Sequence, residues 1–427
     1  MGQNAADLIQ GFKTGKYDGL LLDIYADESV IAHQRERYIH ALESFSEIFD
    51  DEEVEIYSAP GRSEIGGNHT DHQHGQVLAA SINLDVIAVA ARTDDNLIQV
   101  KSEGYEQVVV STQALNVEES ELGTSKALIR GVAAGLSEKG YNIGGFHAFM
   151  TSEVLGGSGL SSSAAFEVAV GNIFSGLYNE SKIDAVTIAV VSQYAENRYF
   201  GKPCGLMDQM ASSVGSLVNI DFKNPEDPSI KKVNADFSSF GHSLCIVDTK
   251  GSHADLTDDY AAIPAEMKNV AAFFGKSFLT EIDEETLIQN LPAVREKCGD
   301  RAVLRAVHFF EDNERVTYEV SALEKGDFDG FKKLIKESGD SSFKFLQNVY
   351  SNKDVNAQNI PVALVLSELT LKGRGVCRVH GGGFAGTIQA FVPDGIVAEY
   401  KKAMEDCFGE GSCYVLKVRK YGGMKVL

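Results

Sequence analysis

From Arg35 to Phe49 the chain reads RERYIHALESFSEIF, and its apolar positions Tyr38, Ala41, Leu42 and Phe45 fall three and four apart, the spacing of one helix face. Residues 1–50 are therefore expected to form a helical N-terminal extension. The pattern changes at EVEIYSAP, where apolar and polar residues alternate as on a strand until Pro60 and Gly61 interrupt it. Two further strands are predicted, VLAASINLDVIAVAAR at 77–92 and LIQVKS at 97–102, joined by the turn-forming TDDN. Lys126–Lys139 reads as a helix and GGFHAFMTSEV as a strand. A glycine-serine loop then runs directly into a helix of small and apolar residues. The next helix, SKIDAVTIAVVSQYAENRYFG, takes Asp184 as its N-cap and places Ile188, Val191, Ala195 and Tyr199 on one face. GKPCGLMDQMASSVG leads through a strand, SLVNIDF, to NPEDPS, whose composition predicts a linker. Beyond it come the strand SLCIVDT, helices as far as Tyr350, and two strands around the glycines of VCRVHGGGFAGTIQAFVP.

Strands and helices are mixed without strict alternation, which predicts an α+β fold with mixed sheets covered by helices rather than a doubly wound sheet. A chain of 427 residues exceeds one core of ordinary size. The expected division is the 1–50 extension, an N-terminal domain at 51–238 and a C-terminal domain at 239–427, with the active site in the cleft between the two domains.

Charge narrows the partners. The chain has 39 basic and 61 acidic residues, net −22, which argues against nucleic acid and anionic membrane, since both attract basic surfaces. An anionic ligand would need a locally prepared pocket of backbone N–H groups, a helix N-terminus or a cation. The six cysteines (Cys204, Cys245, Cys298, Cys377, Cys407, Cys413) form no C-x-x-C pair, so they read as free thiols of a cytoplasmic protein. The N-terminus lacks the basic-then-apolar order of a secretory signal. A monomer is the expected state.

Such a pocket is offered by GGSGLSSSAA at 156–165. Glycines let backbone N–H groups turn inward, and the N-terminus of the following helix adds roughly half a positive charge, so phosphate can be held without a lysine. Ser161, Ser162 and Ser163 offer hydroxyls to the same ligand. A flexible linker is the alternative, but a linker would not flow straight into an apolar helix. Magnesium takes one or two protein oxygens and leaves its other positions to phosphate and water, so Ser163 with Glu196 would suffice. Asp208, in CGLMDQ, is either a helix cap or the carboxylate that orients an acceptor hydroxyl in phosphoryl transfer, with Arg62 as the cation that stabilises developing charge.

GGNHTDHQHG packs His69, His72 and His74 into six positions. The glycines and Thr70 break the regular helix that a zinc pair would want, so metal is the weaker reading. Asn68, His69 and Asp71 offer donors and acceptors on a short backbone, as recognition of sugar hydroxyls requires. HGGGFAGTI, at 380–388, is balanced between a tight β-turn and a wall of the active site.

Taken together, PGRSEIGGNHTDH, GLSSSAA, CGLMDQ and GGGFAG, in this order across residues 59–386, resemble the galactokinase family of the GHMP kinase superfamily. The resemblance implies a two-domain GHMP kinase fold and ATP-dependent phosphorylation of the C1 hydroxyl of galactose. It implies Asp208 as catalytic carboxylate steadied by Arg62. It places Gly157, Ser158, Gly159, Leu160, Ser161, Ser162 and Ser163 around the ATP phosphates and Ser163 with Glu196 at Mg2+. Asn68, His69, Asp71, Gly205 and Tyr260 would line the sugar. Several positions depart from the family pattern, with Asn68 in place of a glutamate, His72 of a tyrosine, Glu64 of an asparagine and Ala385 of a glycine. Because the family glutamate faces the sugar's C6 corner, Asn68 keeps a kinase for galacturonate or L-arabinose open beside galactose, and restoring glutamate there is expected to sharpen the choice of galactose. A catalytically silent galactose and ATP sensor is the alternative of another class, but sensors of this kind disrupt the serine loop, and Ser163, Ala164 and Asp208 are all intact. The N-terminal extension exceeds the usual family length and has no assigned role.

Overall fold

A computed structural model of the protein describes residues 2–427 except 51–52, 155, 157–158, 226 and 253–255. It divides into two compact units. Unit 1 comprises Met1–Arg62, Ala80–Ser216 and Lys417–Leu427, and unit 2 comprises Ser63–Ala79 and Leu217–Leu416. The contiguous division expected from sequence differs from this one, because two long strands, β2 (Glu53–Gly66) and β3 (Gln76–Arg92), begin in one unit and end in the other. Pro60 and Gly61 do not end β2, as alternation alone suggested. The strand runs on to Gly66 with every residue from Val54 buried, so its register is held by packing on both faces.

Unit 1 is built on a mixed sheet in the order β1–β2–β3–β6–β4–β5, with β1 (Gln3–Asn4), β4 (Leu97–Ser102), β5 (Val108–Ser111) and β6 (Phe146–Ser152). Strand β6 lies antiparallel to β3 and parallel to β4. The residues of the expected extension form α1 (Ala5–Lys13), α2 (Asp18–Tyr25) and α3 (Ile31–Ile48). They are no appendage: Leu8, Phe12, Tyr25, Tyr38, Leu42 and Phe45 share one core with Val54, Ile56, Ile87, Val89 and Phe149 of the sheet. Burying side chains of this size is worth about 1.5–3 kcal/mol each. Helices α4 (Ser125–Glu138), α5 (Ser162–Asn179), α6 (Ala185–Tyr194) and α7 (Met207–Val214) complete the unit. Asp184 caps α6 by accepting from the Thr187 N–H at 2.9 Å, and Ile188, Val191, Ala195 and Tyr199 are all buried. The last turn, Ala195–Phe200, widens to a π-helix.

Unit 2 opens with the hairpin β7 (Leu217–Asp221) and β8 (Ser229–Val233), paired antiparallel, with β7 laid against β3. The described residues of NPEDPS thus lie between two paired strands of one unit rather than between domains, with 226 outside the described residues; turn composition serves both. A four-stranded sheet follows in the order β10–β11–β9–β12, made from β9 (His242–Asp248), β10 (Val376–His380), β11 (Thr387–Pro393) and β12 (Cys413–Leu416). Helices α8 (Thr257–Phe273), α9 (Glu284–Gln289), α10 (Leu291–Cys298), α11 (Asp300–Glu324), α12 (Phe328–Ser341), α13 (Asn359–Leu371) and α14 (Val397–Phe408) belong to the same unit. Among the described residues no helix is long and apolar enough to cross a membrane.

Candidate active site

In unit 1 the site grows from the end of β2. Gly61 has no Cβ because one would stand 2.8 Å from the Leu160 carbonyl oxygen and 2.9 Å from Val154 Cγ1, so only glycine lets the two ends of the glycine-serine loop lie against the strand. The Arg62 N–H donates to the Leu160 carbonyl at 3.0 Å. Its guanidinium grips Asp208 in the forked geometry that suits a carboxylate, Nε to Oδ1 at 2.7 Å and Nη2 to Oδ2 at 2.8 Å, and Nη1 donates to the Gly159 carbonyl at 2.6 Å. Asp208 stands in the first turn of α7, and the Ser161 hydroxyl donates to its Oδ2. Burial works to raise the Asp208 carboxyl, but the Arg62 charge and hydrogen bonds, with Ser161 and Lys202, outweigh it and hold the group below its ordinary value. Asp208 is an ionised carboxylate with both oxygens engaged.

Ser161 precedes α5 in the left-handed region, φ 60°, and its side chain does not cap the helix. Its hydroxyl goes to Asp208 instead, so the first N–H groups of an 18-residue helix lack the side-chain acceptor that usually takes them. Ser162 opens that helix, half-buried. One residue on, the Ser163 hydroxyl donates to Glu196 Oε1 at 3.0 Å. Glu196 is nearly fully buried on the π-helical turn, where its Oε1 also pairs with Lys202 Nζ at 2.9 Å and its Oε2 accepts from Gln209 Nε2 at 2.7 Å. The same Gln209 amide reaches Glu167 Oε2 at 3.2 Å, and Glu167 Oε1 is buried without a partner. Burial and the Glu196 charge push the Glu167 carboxyl up. Gly205 lies in the turn that precedes α7. Gly157 and Ser158 lie outside the described residues.

In unit 2 three consecutive glycine carbonyls organise the GGNHTDH segment and Tyr260. Strands β10 and β11 are joined through residues 381–386, so the GGGF segment lies in a hairpin loop, and it is also a clamp. Gly381 O accepts from Asn68 Nδ2 at 2.7 Å, Gly382 O from His69 Nε2 at 3.1 Å, and Gly383 O from the Tyr260 hydroxyl at 2.8 Å. At 383 a Cβ would fall 2.0 Å from the Asn348 carbonyl oxygen, and φ there is +81°, which together require glycine.

Asn68 is fully buried, and its amide is spent on the protein. Nδ2 donates to Glu64 Oε1 at 3.1 Å and to Gly381 O, while Oδ1 accepts from Asn348 Nδ2 at 2.8 Å and Ser342 Oγ at 3.2 Å. An amide has two donors and two acceptor positions. All four are filled, so the expectation that this side chain bonds a sugar is corrected: it ties the motif to the glycine turn. His69 differs. With Nε2–H donated to Gly382, Nδ1 is the acceptor, and it is buried without a partner. Burial, then the neighbouring His72, pushes the His69 imidazole down to about 3, so it is neutral. Asp71 accepts from the His72 N–H through Oδ1. Burial pushes the Tyr260 hydroxyl up to about 12, and its ring meets Phe384 edge-on, with centroids 5.3 Å apart. His74 stacks on Phe278 instead of joining the other two imidazoles. Among the described residues no three His, Cys, Asp or Glu side chains are grouped to hold a metal ion.

A galactokinase galactose-binding signature matches residues 43–92, and a GHMP kinase N-terminal domain matches residues 127–216. A galactokinase of Actinobacillus pleuropneumoniae serotype 5b is 29% identical over 370 residues, which cover 86% of this chain and 92% of that protein. The chain is thus similar to galactokinases and carries a GHMP kinase N-terminal domain. The crystal structure of Lactococcus lactis galactokinase complexed with galactose superposes with a TM-score of 0.76 at 25% identity, over 90% of this chain and 98% of that one. A mevalonate kinase of Methanococcus jannaschii, at 15% identity and a TM-score of 0.60 over 85% of this chain and 98% of that one, shares the fold.

The supports of the segment matched by the galactose-binding signature come largely from elsewhere in unit 2. The Asn68 N–H donates to Asp312 Oδ2 at 2.8 Å, and its carbonyl accepts from His308 Nε2 at 2.9 Å. Arg378 pairs with Glu64 at 2.8 Å, and His380 Nε2 accepts from the Glu64 N–H at 3.2 Å. His380 sat visibly beside the glycines of HGGGF. His308, Asp312, Ser342, Asn348 and Arg378 carry no local signature. Gln209 and Lys202 were likewise within or beside a quoted motif, yet only the folded chain brings both onto Glu196.

Proposed function

We propose that the protein transfers the terminal phosphoryl group of ATP to the C1 hydroxyl of galactose, giving α-D-galactose 1-phosphate and ADP. The observation that carries this reading is Asp208: an ionised carboxylate held on both oxygens by Arg62 and joined by Ser161 of the serine loop. Phosphoryl transfer through a loose transition state needs an oriented acceptor and compensation of charge more than a strong base. A carboxylate kept below its ordinary value by a guanidinium is a weak base. Asp208 therefore orients the acceptor hydroxyl and takes its proton late, when the oxygen–phosphorus bond has formed enough to acidify it. Arg62 fixes the carboxylate and supplies positive charge beside the transferring group.

Other groups support binding. The uncapped N-terminus of α5 is a site for phosphate oxygens, with Ser162 and the preceding loop around it. Ser163 and Glu196 suit magnesium, a hydroxyl and a buried carboxylate 3.0 Å apart that already attract the Lys202 ammonium. Bound there, the ion would neutralise phosphate charge. His69 Nδ1, a buried acceptor without a protein partner, fits a sugar hydroxyl, since leaving it unpaired costs about 1–3 kcal/mol. Asp71 and Tyr260 flank the same motif. The case for a galacturonate or L-arabinose kinase rested on the Asn68 amide facing the sugar, and that amide is fully used.

The test is ADP release with magnesium and ATP against galactose, galacturonate, L-arabinose, galactosamine, glucose and mevalonate. Galactose is expected to lead in kcat/KM by at least about 10-fold. Binding of galactose and ATP with no ADP released would make the protein a sensor, and a lead for another acceptor would replace galactose.

A further inference from the structure

We propose that Glu153 is a positioning residue through which the N-terminal helices set nucleotide binding. It stands at the end of β6, immediately before Val154 and the serine loop. Three side chains of α3 converge on its carboxylate: His33 Nε2 on Oε1 at 2.5 Å, Arg37 Nη1 on Oε2 at 3.0 Å and Gln34 Nε2 on Oε2 at 3.4 Å. The Glu153 N–H donates to the Asp85 carbonyl at 3.0 Å, and Arg37 binds that same carbonyl and the Asp85 carboxylate. Glu153 is thus fixed at backbone and side chain by one helix and one strand.

The next residue passes the constraint on. Val154 is buried against Gly61, where a Cβ would stand 2.9 Å from Val154 Cγ1, and Leu160, at the far end of the loop, accepts from the Arg62 N–H. Both ends of the loop therefore bear on the two residues that aim the Arg62 guanidinium at Asp208. This gives a role to residues that exceed the family's usual length. The inference rests on the kinase reading above, because the ligand it affects is ATP.

The experiment compares Glu153→Gln, His33→Ala and the double variant with the parent protein. His33 and Glu153 have side chains 59% and 26% exposed, so the variants are expected to fold, as thermal unfolding will show. ATP affinity is read by calorimetry, and KM for ATP and for galactose by ADP release. The expected result is a rise of about 3- to 10-fold in Kd and KM for ATP in Glu153→Gln, a smaller rise in His33→Ala and KM for galactose unchanged. The double variant should be no worse than Glu153→Gln, since both substitutions act on the His33–Glu153 contact. Unchanged ATP affinity in Glu153→Gln, additive effects, or equal rises in both KM values would overturn the inference. If the parent binds ATP without phosphorylating galactose, the kinase reading fails while the calorimetric comparison still decides the role of Glu153.

Discussion

At Asp208 one carboxylate is shared among three donors, and their number decides its chemistry. The Arg62 charge, two hydrogen bonds from Arg62 and one from Ser161 outweigh a burial that works to raise it. The group is held in one orientation and kept charged, which favours aiming a hydroxyl over removing a proton early. Replacing Asp208 with Asn keeps the shape and removes the charge. Turnover is expected to fall by about 100- to 10,000-fold, while the galactose Kd, measured by calorimetry, stays within about threefold. Turnover within a factor of ten of the parent would remove Asp208 from the reaction. CGLMDQ was legible as a motif, but the protonation state of its aspartate was not, since Arg62 and Ser161 lie 146 and 47 residues away along the chain.

At the scale of elements, the turn between β10 and β11 shows how one segment serves as both connection and wall. Its glycine carbonyls hold Asn68, His69 and Tyr260, from two other segments of the same unit. Asn68 is the tie-bar of this arrangement, and a glutamate there would aim a carboxylate at Glu64 Oε1 and the Gly381 carbonyl, both acceptors. Asn68→Glu is therefore expected to destabilise unit 2 by about 2–4 kcal/mol, read as a lower midpoint in denaturant, rather than to sharpen sugar choice. A variant as stable as the parent, with altered preference between galactose and galacturonate, would return Asn68 to the sugar. The residue type at 68 was plain from the sequence. Its four partners were not, because Gly381, Ser342 and Asn348 lie more than 270 positions away.

The two ends of the chain are joined by a buried charge within unit 1. Asp85, fully buried on β3, receives Tyr25 Oη at 2.7 Å, Arg37 Nη1 at 2.9 Å and Arg419 Nη1 at 3.0 Å, besides the Ser58 hydroxyl. Burial would raise its pKa, yet Arg37 and Arg419 hold it below the ordinary value. The first and last segments of the chain thus meet inside unit 1. Deleting residues 1–50 would strip Arg37 and Tyr25 from Asp85 and bare Ile87, Val89 and Phe149. The loss exceeds the roughly 5–15 kcal/mol that holds a domain together, so the shortened chain is expected in the insoluble fraction. Soluble, folded material by circular dichroism would show that the segment is dispensable.

Periodicity in the sequence was enough to place the N-terminal helix face, the long strands and the serine loop running into α5, because each depends on residues a few positions apart. Motifs were enough to show the likeness to galactokinases and to nominate Arg62 with Asp208 and Ser163 with Glu196, pairs that the fold brings into hydrogen-bond contact. Only the tertiary structure decided that β2 continues through Pro60 and Gly61, that the opening helices belong to a core, and that Asn68 has no bond left for a ligand while His69 keeps one. Burial and hydrogen-bond partners are set by residues hundreds of positions apart, and a local pattern encodes the period of an element without naming what will be packed against it.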